Sequence, residues 1–142
     1  MSTDGQSDDA IRTVFQTTRR IALVGASARP WRDSHHVMRF LLDRGFDVTP
    51  VNPTLAGQTI HGRTVVARLA DAAPLEMVDV FRHSSHVGAL TDAAIALGAT
   101  SIWMQLGVID PDAAARARAA GVEVFMDRCP VIEDRRLGLF RH

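Results

Sequence analysis

The feature that most constrains the fold is an apolar run that ends at a glycine and passes into a helical pattern. Residues Ile21 to Val24 form the run, Gly25 ends it, and a helical pattern begins near Ser34. A buried strand that leads through a small-residue turn into a helix brings backbone N–H groups and the positive end of the helix to one point. Such a turn holds phosphate in nucleotide-binding domains, but it also occurs as an ordinary strand-to-helix connection.

The residues of this turn favour phosphate without completing the dinucleotide-binding fingerprint. Ser27 and Pro30 stand where the second and third glycines of the pattern G-x-G-x-x-G would lie. Arg29 and Arg32 add two cationic side chains, and arginine forms strong paired hydrogen bonds with phosphate oxygens. We therefore interpret the turn as a nucleotide-phosphate loop, with the ordinary connection as the alternative.

Strand and helix patterns alternate along the rest of the chain. The predicted strands are Arg20–Val24, Asp47–Val51, Met77–Phe81, Ser101–Leu106 and Val122–Met126. Helices are predicted over residues 8–18, 34–44, 85–98, 111–120 and 130–136, and a loop over residues 55–64. This alternation predicts an α/β fold, a single doubly wound, mainly parallel five-stranded sheet with helices on both faces.

Length and composition indicate one globular domain. The 142 residues are 46% hydrophobic and 23% charged, which suits a folded chain rather than a disordered one. We expect a flexible tail over residues 1–7 and one domain over residues 8–142. The 16 basic residues balance the 16 acidic ones, so the sequence lacks the positive charge of a general nucleic-acid binder.

The sequence predicts a cytoplasmic protein without a metal site. It contains no apolar stretch near the ~20 residues of a membrane span, and its polar, acidic start differs from a secretory signal. The single cysteine, Cys129, cannot form an internal disulfide, which suits a reducing compartment. The pairs His35-His36 and His83 with His86 lack cysteine or carboxylate partners at ligand spacing, so we interpret them as solvated or helix-capping residues.

Ligands of doubly wound sheets bind at the carboxyl ends of the strands, beside the point where the strand order reverses. The segments that follow the predicted strands are Gly25–Arg32, Val51–Pro53, Phe81–His83, Gln105–Gly107 and Asp127–Pro130. Nicotinamide-binding domains usually carry an acidic residue after the second strand, where it binds the ribose hydroxyls. Asn52 occupies that place here, which disfavours an NAD(P)-binding oxidoreductase.

Six short motifs, in order along the chain, carry a resemblance to a known family. They are VGAS at 24–27, RPWRDS at 29–34, VNP at 51–53, VDVFR at 78–82, IWMQLGV at 102–108 and MDRCPVIE at 126–133. Through them the chain resembles the small stand-alone CoA-binding proteins. Their Rossmann-like fold is shared with the CoA-binding domains of succinyl-CoA synthetase and of ADP-forming acyl-CoA synthetases. Asp33 departs from the family pattern, in which we expect proline.

The resemblance implies that the chain binds coenzyme A, or an acyl-CoA, without catalysing a reaction of its own. The implied binding residues are Gly25, Ala26, Ser27, Arg29, Arg32, Ser34, Val51, Asn52, Pro53, Phe81, Arg82, Gln105, Gly107 and Cys129. The first turn would hold the phosphates with its backbone and arginines, Asn52 and its neighbours would border the adenosine, and Gln105 and Gly107 would meet the pantetheine arm. We expect Gly25→Val to abolish binding and leave the fold intact, because a side chain would fill the space where backbone meets phosphate.

Two other functions and two roles for Cys129 stay open. The chain could be a CoA-binding subunit or remnant of an acyl-CoA ligase that needs a partner chain, or an NAD(P)-binding oxidoreductase domain. Cys129 either faces the CoA thiol as a redox-active residue or packs as a small apolar side chain. The sequence does not decide whether the protein acts alone, as a homo-oligomer or with a partner enzyme.

Overall fold

The computed structural model describes residues 4–140. The strands are β1 (Arg20–Val24), β2 (Asp47–Val51), β3 (Thr59–Ile60), β4 (Arg63–Thr64), β5 (Met77–Val80), β6 (Ser101–Met104) and β7 (Glu123–Phe125). The helices are α1 (Asp8–Thr17), α2 (Asp33–Asp43), α3 (Val87–Ala96), α4 (Pro111–Ala119) and α5 (Pro130–Leu137). Among the described residues, no helix is both long and apolar enough to cross a bilayer.

Five of the strands form one parallel sheet in the order β2-β1-β5-β6-β7. The chain steps outward from β1 to β2 and then returns past β1 to β5, so the strand order reverses between β1 and β5. The loops that follow these two strands diverge and leave a crevice at the carboxyl edge. The structure confirms the predicted doubly wound sheet and places the reversal point beside the turn after β1.

Alternate side chains of the sheet pack into two hydrophobic cores, one on each face. Val78 belongs to one core and Met77 to the other, because successive residues of a strand point to opposite faces. In the second core the rings of Trp103 and Phe125 stack with their centroids 5.1 Å apart. Trp103 is fully buried, and its Nε1–H donates to the carbonyl oxygen of Arg128 at 2.9 Å. The core thereby holds the loop that follows β7.

The predicted elements are right in type, but several boundaries differ. The runs predicted to reach Phe81 and Leu106 leave the sheet at Val80 and Met104, because apolar residues continue past the end of the hydrogen-bonded ladder. Helix α2 begins at residue 33, after an N-cap at residue 32. Ser34, where the helix was predicted to begin, is therefore the second residue of α2.

The segment predicted as a loop over residues 55–64 contains an antiparallel hairpin of β3 and β4. The prediction was wrong because two-residue strands are too short to show a period in the sequence. The hairpin packs on α2: the Nε2 atom of His61 lies 2.9 Å from the carbonyl oxygen of His35, and the two rings are 4.1 Å apart. Burial lowers the pKa of His35, and the neighbouring His61 and His36 lower it further.

The chain is fixed from Asp4 onward, whereas a flexible tail was expected over residues 1–7; residues 1–3 lie outside the described part. The Asp4 carboxylate accepts hydrogen bonds from Nε and Nη2 of Arg128 at 2.8 Å each, and from the Met126 N–H at 2.9 Å. Burial raises the pKa of Asp4, but these hydrogen bonds outweigh it and hold the pKa below its ordinary value. A buried carboxylate needs such partners, and they hold this segment against the loop after β7.

Candidate functional site

A cleft with a volume of about 970 Å³ opens at the carboxyl edge of the sheet. Its walls come from the loops after β1, β2, β5 and β6 and from the first turns of α2 and α5. The predicted binding residues that line it are Gly25, Ala26, Ser27, Arg29, Arg32, Ser34, Asn52, Phe81, Arg82, Gln105, Gly107 and Cys129. Val51 and Pro53 lie outside this cleft and wall a second cavity of 220 Å³.

The turn after β1 is held by the end of β2. The N–H groups of Gly25 and Ala26 donate to the carbonyl oxygen of Val51 at 3.1 and 3.4 Å. The side-chain amide of Asn52 donates to the Ala26 carbonyl oxygen at 2.8 Å, and its Oδ1 accepts the Thr54 N–H. Both N–H groups therefore already have an acceptor within the sheet, which disfavours them as phosphate donors; the contact of this turn with phosphate stays a prediction.

The backbone of Phe81, just after β5, leaves no room for a side chain at Gly25. Its φ angle is +92°, and a Cβ added there would lie 2.6 Å from the Phe81 carbonyl oxygen and 2.9 Å from its carbonyl carbon. The Phe81 N–H in turn donates to the Val24 carbonyl oxygen at 2.8 Å, which fixes this close approach. A side chain at Gly25 would thus disturb the sheet edge itself, contrary to the expected role of Gly25 in leaving room for phosphate.

The β1–α2 side of the cleft is cationic. Helix α2 starts without a capping side chain. The N–H groups of His35 and His36 donate to the Arg32 carbonyl oxygen, so those of Asp33 and Ser34 are left for water or an anion. Arg29, Arg32 and Arg82 line the cleft, and within residues 4–140 none of the three forms an ion pair with a carboxylate. Asp33 places one carboxylate in the same wall, which offsets part of this positive charge.

The β6–α4 loop brings a buried side-chain acceptor without a partner to the cleft. Both backbone groups of Gly107 are engaged: its N–H donates to Oδ1 of Asp127 at 2.8 Å, and its carbonyl oxygen accepts the Ser84 hydroxyl at 3.3 Å. The Gly107 N–H is therefore not free to donate to a ligand, and the predicted contact of Gly107 with the pantetheine arm stays a prediction. Gln105 is 5% exposed, and its Oε1 has no hydrogen-bond partner among the described residues. A buried acceptor without a partner favours a hydrogen-bond donor from a ligand or from water.

Cys129 lies at the N-cap of α5, where it lines the cleft and packs on the second core. It is half-buried, which agrees with either of its two interpretations. His83 accepts the Ser85 N–H at Nδ1 and caps a short 3-10 turn, as expected for a capping histidine. The part of the chain that the structure describes contains no group of three or more His, Cys, Asp or Glu residues placed to hold a metal ion.

Asp79 is a second buried polar group without a partner. It lies in β5 between Leu23 of β1 and Trp103 of β6, is fully buried, and neither carboxylate oxygen has a hydrogen-bond partner among residues 4–140. Burial raises the pKa of Asp79 well above its ordinary value. The sheet therefore favours the protonated carboxyl group at this position.

Comparison with known proteins decides the family. The sequence profile of the CoA binding domain matches residues 19–135. The chain belongs to the CoA-binding domain family. YneT of Bacillus subtilis (strain 168) is 32% identical over 119 residues, which cover 84% of this CoA-binding domain and 87% of YneT.

Solved structures confirm the fold of the CoA-binding domain. A crystal structure of the protein PH1109, redesigned for binding, matches with a TM-score of 0.91 at 35% identity, over 99% of this chain and 98% of that one. The dinucleotide-forming acetyl-coenzyme A synthetase 1 of Ca. Korarchaeum cryptofilum, solved with phosphate and ADP, matches with a TM-score of 0.68 at 21% identity. That match covers 85% of this chain and 28% of the synthetase and shows a shared fold.

The cleft of this CoA-binding domain also contains apolar residues that the sequence analysis missed. Four of them are Leu106, Val108, Val131 and Ile132. Each stands close in sequence to Gln105 or Cys129, so their place just after β6 or at the start of α5 was the available signal. Hydrophobic periodicity gave no signal, because an apolar residue just past a strand looks the same in sequence as the end of the strand's apolar run.

Proposed function

We propose that this CoA-binding domain holds coenzyme A or an acyl-CoA in the cleft at the carboxyl edge and catalyses no reaction itself. The observation that carries the proposal is the set of three cleft arginines, Arg29, Arg32 and Arg82, which have no carboxylate partner among the described residues. Membership of the CoA-binding domain family supports CoA as the anion that they bind.

The phosphates of CoA fit the cationic side of the cleft. CoA carries a pyrophosphate and a 3′-phosphate, so it needs several donors and positive charge. Because the Gly25 and Ala26 N–H groups are occupied, we assign the phosphates to Arg29, Arg32 and the first turn of α2. Guanidinium groups and free N–H groups at a helix start are both strong phosphate donors.

The adenine fits the second cavity. Val51, Pro53 and Leu69 give this cavity apolar walls, and Arg82 lines both this cavity and the main cleft. A purine ring presents a flat apolar face, and a guanidinium group stacks readily on such a ring. In this arrangement Arg82 lies between the adenine and the phosphates, which gives Val51 and Pro53 the adenosine contact that the sequence analysis expects.

The remaining polar groups suit binding rather than reaction. Gln105 offers a buried oxygen to an amide N–H of the pantetheine arm. The Ser27 hydroxyl accepts the Arg29 N–H at 3.1 Å, so it shapes the turn. Asn52 is bonded to Ala26 and Thr54, so the end of β2 offers no carboxylate for the ribose hydroxyls of NAD.

Titration calorimetry with CoA, dephospho-CoA and NAD tests the proposal. We expect CoA to bind most tightly, dephospho-CoA more weakly because it lacks the 3′-phosphate, and NAD poorly. Equal affinity for CoA and dephospho-CoA would remove the 3′-phosphate from the assignment, and absence of CoA binding would overturn the proposal. Mass spectrometry of the protein under non-denaturing conditions gives an independent reading, because a ligand retained through purification reports its own mass.

Arginine variants locate the phosphates. Arg29→Gln or Arg32→Gln should each weaken CoA binding by about tenfold to a hundredfold, since a hydrogen bond to a charged group contributes about 1.5–3 kcal/mol. Arg39→Gln is the matched control, because Arg39 lies on α2, pairs with Asp43 and does not line the cleft. If Arg39→Gln weakens binding as much as the cleft variants, general charge attraction explains the effect and the assignment fails.

A further inference from the structure

We infer that the preferred ligand of the cleft is a CoA thioester with an apolar acyl chain, and that Leu106 and Ile132 hold that chain. This inference rests on the proposed function, because it extends the same site beyond the sulfur of CoA. It separates two ligands, free CoA and acyl-CoA, that the family assignment leaves together.

The exposed apolar side chains of the described residues are concentrated at one edge of the molecule. The four large ones are Trp31, Leu106, Ile109 and Ile132, and all of them follow the carboxyl end of a sheet strand. A single exposed leucine needs no explanation. Here, however, Leu106 and Ile132 are 55% and 45% exposed and line the same cleft, Leu106 from the loop after β6 and Ile132 from the first turn of α5.

The chemistry of the cleft changes along the sheet. Arg29 and Arg32 follow β1, whereas Leu106 follows β6 and Ile132 follows β7, which lie two and three strands away from β1. A strand spacing of about 4.8 Å puts β6 about 10 Å and β7 about 14 Å from β1. A ligand with its phosphates at β1 therefore directs its neutral arm, and the sulfur at the end of that arm, toward the β6–β7 side.

The β6–β7 side is built for an apolar group. The loop after β6, the N-cap of α5 and the first turn of α5 supply the cleft with Gln105, Leu106, Gly107, Val108, Cys129, Val131 and Ile132. None of these residues carries a formal charge. Val108 is buried in the first core and Val131 packs on the second, so this side of the cleft is continuous with both cores. A free thiol is too small to cover Leu106 and Ile132, whereas an alkyl chain removes their surface and its own from water.

Calorimetry with CoA, hexanoyl-CoA and succinyl-CoA tests the inference. Each methylene that leaves water strengthens binding by up to about fourfold, so hexanoyl-CoA should bind about tenfold or more tightly than CoA even if the chain is partly covered. Succinyl-CoA should show no gain, because its terminal carboxylate would lose water beside apolar side chains.

Serine variants identify the residues that hold the chain. In the double variant Leu106→Ser/Ile132→Ser, the ratio of hexanoyl-CoA affinity to CoA affinity should fall to near one. Ile109→Ser is the matched control, because Ile109 is 46% exposed in the loop that carries Leu106 but does not line the cleft. This control should keep the ratio of the unmodified protein.

The possible results separate the two proposals. CoA and hexanoyl-CoA of equal affinity would overturn the acyl-chain inference and leave the proposed function standing. Binding of neither ligand would overturn both. A ratio that falls as far in Ile109→Ser as in the double variant would show a general effect of apolar surface, and the inference would be wrong.

Discussion

Replacement of Gly25 by alanine should destabilise the fold, because the residue lies against backbone rather than beside open space. At the Gly25 φ angle of +92°, the added Cβ would sit 2.6 Å from the Phe81 carbonyl oxygen. That separation is shorter than any van der Waals contact between these atoms. The Phe81 backbone cannot move away freely, since its N–H donates to the Val24 carbonyl oxygen.

The expected loss in the free energy of unfolding has two parts. A left-handed backbone costs a residue with a Cβ about 1–2 kcal/mol relative to glycine, and overpacking against a fixed neighbour costs about 1–3 kcal/mol. Together they lower the free energy of unfolding by about 2–5 kcal/mol. Domains of this size have about 5–15 kcal/mol in total, so the variant should lose a large fraction of its stability.

Gly98→Ala separates the two parts. Gly98 has a φ angle of +83°, but a Cβ there would meet nothing within 4 Å. This control should therefore show only the backbone cost of about 1–2 kcal/mol. The effect of alanine on the unfolded chain is common to both variants and cancels in their difference.

Urea unfolding followed by circular dichroism measures both variants against the unmodified protein. The midpoint of Gly25→Ala should lie clearly below that of Gly98→Ala, with similar slopes. Equal free energies of unfolding for the two variants would show that the Phe81 backbone yields, and the structural reason given for Gly25 would be wrong.

Three further outcomes are expected. Because burial raises the pKa of Asp79, the folded state keeps a proton that the unfolded state releases above about pH 4. Stability should therefore fall as pH rises, by up to about 1.4 kcal/mol per pH unit below the folded pKa. The urea midpoint of Asp79→Asn relative to the unmodified protein should rise between about pH 5 and pH 8, and an unchanged difference would contradict this reasoning. Asp4→Ala should lower the free energy of unfolding by about 3 kcal/mol, because the largely buried Arg128 then keeps Glu133 as its one carboxylate partner among the described residues; a loss below about 1 kcal/mol in urea titration would refute the role of this pair. Diamide, which removes one hydrogen from each of two thiols, should join Cys129 to the thiol of bound CoA as a mixed disulfide. Intact mass should show one added CoA that a reductant removes and that Cys129→Ser lacks; unmodified protein at confirmed CoA occupancy would make Cys129 structural.

The sequence indicates the type of each element better than its ends. The bounds of β1 and β2 are predicted correctly, because Gly25 and the Asn52-Pro53 pair stop both the apolar run and the strand. The end of β6 is predicted too late, because Leu106 continues the apolar run while it already lines the cleft. Hydropathy shows only that a side chain is apolar. It does not distinguish a side chain buried in the core from one that contacts a ligand.

The cleft residues could be predicted because parallel strands bring their carboxyl ends to one edge. The hydrogen-bond partners of these residues could not be predicted. That the Gly25 N–H meets the Val51 carbonyl oxygen, and that Phe81 fills the space beside Gly25, depends on the register of three strands. The engagement of Gly107 by Asp127 likewise joins two separate loops. No local pattern in the sequence indicates these contacts between separate strands and loops.

The hydrogen bonds between Asp4 and Arg128 join residues that are 124 positions apart. During synthesis Asp4 leaves the ribosome early, and its carboxylate stays hydrated until Arg128 emerges. Strands β1, β2 and β5 are complete long before that point, so their part of the sheet can pair first. The α5 side of the cleft cannot form before this contact, and contacts between residues far apart in sequence form slowly. We therefore expect the ligand cleft to be the last region of the nascent chain to mature.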